Sequence, residues 1–247
     1  MLNLRRAGRD RTRQAPWIVS IYRTDVGKKY AMAISGVVLL LFVLGHMIGN
    51  LHVFEGAHGG TFRIDEYGEG LRELGEPLFP RTLVLWAFLR IPLTIAFLIH
   101  VHAAFALTRS NRAARETKYQ SPRDYLAARY ASRTMRWSGV IVLLFLAWHL
   151  ADLTIGVEAV NPEFVRGAVY DNLVSSLSRW PVWILYVAAQ VALAFHIWHG
   201  AWSLFQSLGI NNPHFNRFRR TFAHIFATVV VAGFLSVPVG VALDIVS

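Results

Sequence analysis

Ten histidines occur in the 247 residues, and six of them, His46, His100, His102, His149, His196 and His199, stand deep inside long apolar stretches. An ionisable ring at such a position is costly to bury and is kept for a partner or a task. Neutral imidazole is the commonest protein ligand for metals, and a haem iron can take one from each side. Cysteine is absent, which excludes disulfides, thiolate-bound zinc, iron–sulfur ligation by this chain alone and covalent attachment of a c-type haem. One carboxylate, Asp152, lies near the set, whereas zinc is usually held tetrahedrally, often with thiolate or carboxylate among its ligands. Histidines on four successive apolar segments fit two bis-histidine b-type haems. For any one ring taken alone, a hydrogen-bonded packing role is the plainer reading.

The elements that must carry these rings are membrane helices. A hydrocarbon core about 30 Å thick requires roughly 20 apolar residues of helix. Five stretches reach that length, at about Tyr30–Phe54, Thr82–Thr108, Trp137–Val157, Pro181–Leu208 and Thr221–Leu243. Composition agrees: 54% of residues are hydrophobic and 16% charged, against about 25% charged in a soluble domain. The expected fold is an all-α integral membrane protein in which residues 30–247 form one five-helix unit behind a basic segment, 1–29. No secretory signal is expected, because the first apolar run begins near residue 30 and exceeds a signal core in length. The formal charge of +10 reads as an orientation signal. Nineteen Lys and Arg fall on one side, before the first helix and in the second-to-third and fourth-to-fifth connections. The other two loops hold five, with nine acids. The basic side is therefore expected in the cytoplasm, with the carboxyl terminus outside. No nucleic-acid partner is expected; a basic platform that also docks a cytoplasmic partner or anionic lipid is the alternative to a pure orientation signal.

Depth suggests how the rings pair. His46 and His149 lie roughly 20–24 Å past the cytoplasmic starts of outward-running helices at 1.5 Å per residue. His100 stands about 12 Å, and His196 about 12 residues, from the cytoplasmic ends of inward-running ones. His46 with His149 is expected at an outer haem iron, and His100 with His196 at an inner one. His102 is the alternative to His100. It lies about 200° around the same helix, so one of the two faces any given haem. Ala96, Ala103 and Ala104 share the face of His100, where small residues admit a flat macrocycle or another helix. His199 shares a face with His196 and is read as bonding a propionate or a quinone oxygen, or as donating to a backbone carbonyl. Asn50 follows His46 on one face, where Gly49 leaves room. Asp152, one turn beyond His149, either relays protons or orients an imidazole, or caps the helix end. His52, His58 and His214 are expected in solvated loops.

The run Val26-Gly27-Lys28-Lys29 through Met32-Ala33-Ile34-Ser35-Gly36 to His46-Met47-Ile48-Gly49-Asn50-Leu51 resembles the start of the single-chain cytochrome b membrane subunit of succinate dehydrogenase/fumarate reductase. His100 through Leu107-Thr108-Arg109-Ser110-Asn111-Arg112 is similar to its second helix. Ser138-Gly139 with Trp148-His149-Leu150 is similar to its third. Phe195-His196-Ile197-Trp198-His199-Gly200, with Ser203 and Phe205-Gln206-Ser207-Leu208-Gly209, is similar to its fourth. The likeness runs from about Val26 to Val239. It implies a four-helix haem-binding bundle with a peripheral fifth helix, two b haems on His46, His100, His149 and His196, and an anchor for a flavoprotein and an iron–sulfur subunit. FAD and iron–sulfur clusters would then reside in those partners, and electrons would reach a membrane quinone, menaquinone being the one expected. The long Arg-rich amino terminus falls outside the likeness.

Other functions compete. A cytochrome b anchor for another quinone-linked dehydrogenase, acting on hydrogen or formate, would use the same rings. A haem-poor structural anchor would use none. A proton-coupled transporter calls for intramembrane acids or inverted repeats, and the chain has almost none of the former and no evident trace of the latter. No dinucleotide-binding glycine loop is present to hold a flavin.

Overall fold

A computed structural model describes residues 16–114, 126–210 and 212–247, of which 126–133 are described by backbone alone. Five of its helices are long and apolar enough to cross a membrane, over Asp25–Glu55, Leu85–Ala113, Thr134–Ile155, Trp180–Ser207 and Pro213–Ala242. The chain is an all-α, multi-pass membrane protein. The spans overlie the five apolar stretches and four of them start earlier; at the first and the fifth, polar caps extend the helix past its apolar core. The Thr24 hydroxyl accepts from Gly27 N–H at 2.9 Å. The Asn212 side chain accepts from His214 N–H at 3.0 Å, with Pro213 in the first turn, where its missing N–H costs nothing.

In chain order, a short helix α1 (Trp17–Arg23) precedes α2 (Asp25–Leu51). A two-stranded hairpin, β1 (Ala57–His58) with β2 (Thr61–Phe62), and an amphipathic α3 (Arg63–Glu73) then lead to α4 (Ile91–Ala113), entered through a wider π turn at Leu85–Arg90. That turn accommodates Pro92, which cannot donate to the carbonyl four residues back. Next come α5 (Leu126–Leu150), which continues into a second π turn at Ala151–Ile155, then α6 (Val169–Ser178), α7 (Trp180–Ser207) and α8 (Pro213–Ala242). The short helix α1 lies in the basic amino-terminal segment, and α3 and α6 lie in segments that read as connections in the sequence.

Contacts at the helix ends fix the alternation. Ser110 in the last turn of α4 donates to Asp25 Oδ2 in the first turn of α2, at 2.7 Å. Trp183, near the start of α7, donates its indole N–H to the Pro238 carbonyl near the end of α8, also at 2.7 Å. The start of α2, the end of α4, the end of α7 and the start of α8 thus share one end, where Arg23, Lys28, Lys29, Arg109, Arg112, Arg217, Arg219 and Arg220 gather. This is the basic end. Arg5, Arg6, Arg9, Arg11, Arg13, Arg115, Lys118 and Arg123, counted with it in the sequence, lie outside the described residues. The other, acidic end carries Glu55, Asp65, Glu66, Glu69, Glu73 and Asp171.

Two hairpins make the bundle. Helix α2 packs along α4, and α5 along α7, while direct packing between the hairpins is thin and mostly of α2 against α7. Helix α8 lies over α7 and α2 and ties the halves together. One cluster, Met47, Ile197, Ala227, Val230 and Phe234, fills that three-helix seam. A second, at the acidic end, joins Val53 and Ile64 to Tyr170, Leu173, Tyr186, Val237 and Val241. There α3 and α6 close over the bundle: Phe62 and Tyr170 stack with centroids 3.5 Å apart. Asp65 accepts from Tyr170 N–H at 2.9 Å, an anion at the amino-terminal end of α6. Large apolar side chains such as Phe88, Phe105 and Leu144 point outward. Outside water they need no cover, and packing and hydrogen bonds rather than apolar transfer must hold the helices together.

Candidate functional site

The four rings that depth pairs in the sequence meet in space in the same two couples. His46 on α2 faces His149 on α5, with ring centroids 5.8 Å apart and planes at 77°. His100 on α4 faces His196 on α7 at 6.3 Å and 69°. Each couple joins one hairpin to the other across the thin interface. Two imidazoles bound to one metal from opposite sides, at about 2.0–2.1 Å per bond, stand with centroids roughly 6 Å apart. Both separations suit that arrangement. Among the described residues no group of three or more His, Cys, Asp or Glu could hold a metal ion; the rings stand in twos.

Each ring is fixed by its own helix neighbours. Helix α2 stacks Phe42 on His46 (5.3 Å, 10°), and Phe234 from α8 leans on the same ring. The Nδ1 of His100 lies 3.2 Å from the Met32 carbonyl oxygen on α2. A carbonyl only accepts, so this nitrogen carries the proton and Nε2 keeps a free lone pair. Ser35 Oγ stands 3.4 Å from the same nitrogen. A Cβ on Gly36 would sit 3.6 Å from His100 Cε1, and one on Gly139 would sit 3.3 Å from His196 Cε1, so both ring edges run close against glycine backbone. The Nδ1 of His196 faces the Met135 backbone of α5 and has no partner at full hydrogen-bond geometry among the described residues. The Nδ1 of His149 lies 3.3 Å from Tyr186 Oη on α7.

Other sequence candidates fall elsewhere. His102 turns away from His196: its Nδ1 is 2.6 Å from Tyr22 Oη of α1, and the two rings stack. His199 is buried on the basic side of His196, donates from Nδ1 to the Phe195 carbonyl at 2.9 Å and leans on Trp198. Asn50 is half-buried and its amide makes no hydrogen bond among the described residues. The room at Gly49 is taken by Tyr67 of α3, whose Cε1 would lie 2.7 Å from an added Cβ. His52 pairs with Glu55 at 2.7 Å and packs on Tyr67. His58 and His214 are exposed.

Asp152 is fully buried, at 0% exposure. Its Oδ2 accepts from Ser176 Oγ at 2.6 Å and from Tyr186 Oη at 2.8 Å, and its Oδ1 from Arg179 Nη2 at 3.2 Å. Asn161 bonds its carbonyl at 3.3 Å. The π turn at Ala151–Ile155 carries this residue, and Gly156 ends the turn in the left-handed region (φ 72°), where a side chain would also run into the Phe164 ring. A buried carboxylate with two hydroxyl donors and a guanidinium is a compensated charge.

Arg219, on the inner face of α8 at the basic end, is only 2% exposed. One guanidinium nitrogen bonds Asn216, while Nε and Nη1 have no partner among the described residues. Neither α7 nor α8 contains an acidic residue, and Asp25, the one acid described at that end, is engaged by Lys28 and Ser110. Ring contacts pair Trp198 with His224 and set Arg220 over Trp202. Arg219 therefore falls roughly 10 Å toward the basic end from the level of His196, at 1.5 Å per residue. A buried guanidinium with idle donors suits a carboxylate brought by another molecule, as a haem's propionates are. Tyr186, Ser176, Arg179 and Arg219 went unnoticed in the sequence. Their signal was weak: one polar residue each, in an apolar helix or a loop, with no spacing to link them.

The family model described as succinate dehydrogenase/fumarate reductase transmembrane subunit matches residues 108–235. The match covers a little over half of the chain, from the last turns of α4 to the seam of α8, and includes His149 and His196. Comparison with curated proteins and with solved structures returned no match.

Proposed function

The chain belongs to the succinate dehydrogenase/fumarate reductase transmembrane subunit family, and we propose that within it the chain is a di-haem cytochrome b anchor carrying electrons between a partner iron–sulfur subunit and membrane quinone. The observation that carries the reading is the pair of facing imidazole couples, His46 with His149 and His100 with His196, each at the separation of two axial ligands. A b haem at each couple would supply reversible one-electron chemistry in a low-dielectric interior. The chain's own residues hold and orient. His100 is turned by the Met32 carbonyl so that Nε2 is free. His46 is wedged by Phe42 and Phe234. Arg219 offers Nε and Nη1 to a propionate.

The flavin and the clusters belong to partner subunits in this reading, and the basic end is the cytoplasmic, docking end. His199 has Nε2 free once Nδ1 has bonded Phe195, and Asn50 has an idle amide. They stand toward opposite ends of the bundle, His199 at the basic end and Asn50 at the acidic end, and are alternative assignments for the contact with quinone and its protons, with menaquinone the quinone expected. Asp152 is fully engaged by its own donors and is not given that task. The test is a reduced-minus-oxidised visible spectrum with pyridine-haemochrome stoichiometry on the purified complex. Two b haems reducible by succinate are expected. A complex without a b-type alpha band would overturn the assignment.

A further inference from the structure

We propose that Tyr186, itself held by Asp152, is the positioning residue that fixes the tautomer and tilt of His149 and makes that imidazole the strongest electron donor of the four. The proposal rests on the reading of His149 as an iron ligand. A phenol has one hydrogen. Asp152 Oδ2, which as a carboxylate only accepts, takes it at 2.8 Å. At the 3.3 Å contact between Tyr186 Oη and His149 Nδ1, the proton must then come from the imidazole. His149 is thereby locked as the Nδ1–H tautomer, with the Nε2 lone pair left for a metal.

The lock is rigid on all sides. Phe145 lies edge-on to Tyr186 (4.9 Å, 89°) and tilts against His149 (5.7 Å). Asp152 cannot swing away, because Ser176 and Arg179 hold its two oxygens from α6 and the turn after it. Arg179 is itself tied to the Val160 carbonyl at 2.5 Å.

The other three rings lack this arrangement. His100 and His196 face neutral backbone groups, of Met32 and Met135, and among the described residues no side-chain carboxylate stands behind either contact. Among the described contacts of His46 there are only rings. A hydrogen-bond chain ending on a carboxylate raises the basicity of the ligand it reaches and favours the more positive state of the metal. The His46/His149 couple therefore differs electronically from the His100/His196 couple through side chains, not through depth alone.

The test is Y186F in the intact complex, with Y22F, which removes a phenol from His102 at the far end, as control. Haem content, a potentiometric titration of each haem and low-spin EPR are read together. Two haems are expected in Y186F, one with its reduced-to-oxidised ratio raised about tenfold at fixed potential, a rise of about 59 mV for one electron. Its EPR signal should move while the other haem and the Y22F complex stay at wild-type values. D152N, which keeps the volume and the Tyr186 hydroxyl, should shift the same haem in the same direction by less, and it carries the test if Y186F does not assemble. Full haem content with both potentials unmoved overturns the proposal and leaves the di-haem reading standing. A wild-type complex without haem overturns both.

Discussion

Replacing Asp152 by alanine is the perturbation whose cost follows most directly from the structure. The carboxylate has no solvent exposure and takes three side-chain donors. Deleting it takes the acceptor from the Ser176 and Tyr186 O–H groups in the interior, at about 1–3 kcal/mol for each orphaned donor, although both oxygens keep a donor of their own, Arg179 and His149. Arg179 is about a third exposed and keeps the Val160 carbonyl, so water compensates part of its loss. Breaking a buried pair from one side costs about 3–5 kcal/mol in measured cases, and D152A should fall there. At about 2–4 °C per kcal/mol for a chain of this size, the melting temperature of the purified complex should drop by roughly 10 °C. The assay is thermal unfolding followed by tryptophan fluorescence, with R179A and the double variant completing a cycle. R179A alone should cost less than D152A, because two hydroxyls still serve the carboxylate. The double variant should cost less than the sum of the singles, by about 1 kcal/mol or more. A D152A complex within 2 °C of wild type, or strictly additive singles, would refute the reasoning.

Substituting His46 or His149 by alanine should each remove the same one of two haems, and His100 or His196 the other, while H102A keeps both; haemochrome stoichiometry decides. R219Q should weaken retention of the haem on His100 and His196 while sparing the other, measured as loss of that haem during detergent washing. S176A removes one of two donors on Asp152 Oδ2 and should cost about 1–2 kcal/mol, read as a smaller melting shift than D152A. G139L should push the His196 ring from its position against α5 and lower the content of that same haem, with G45L, where an added Cβ meets nothing within 4 Å, as control.

Long apolar stretches and the charge asymmetry were enough to read five spans and their alternation, because burial in lipid forces every backbone bond into helix. The pairing of rings was legible for the same reason: helix rise converts position into depth, and rings at similar depth on helices that run the same way meet across the bundle. His100 rather than His102 facing His196 followed from the small residues on its side. What the sequence could not disclose is how loops return to the bundle. Asp152 lies beyond the apolar core of its helix, where a headgroup-zone cap is a sound expectation. Its burial depends on Ser176 and Arg179 of the α6 segment folding back over it, a long-range event without local signature. Gly49 misled for a similar reason, since the occupant of its space, Tyr67, belongs to a helix that reads as a polar loop.

The thin seam between the hairpins has a consequence for biogenesis. Each imidazole couple draws one ring from the α2/α4 half and one from the α5/α7 half, so neither half owns a complete site. The first half is already finished when residue 114 has been made, and it must wait in the bilayer for a partner synthesised later. Two separately expressed fragments, cut between 115 and 125, should therefore be colourless alone and acquire pigment on meeting, so that metal capture itself reports that the halves have docked.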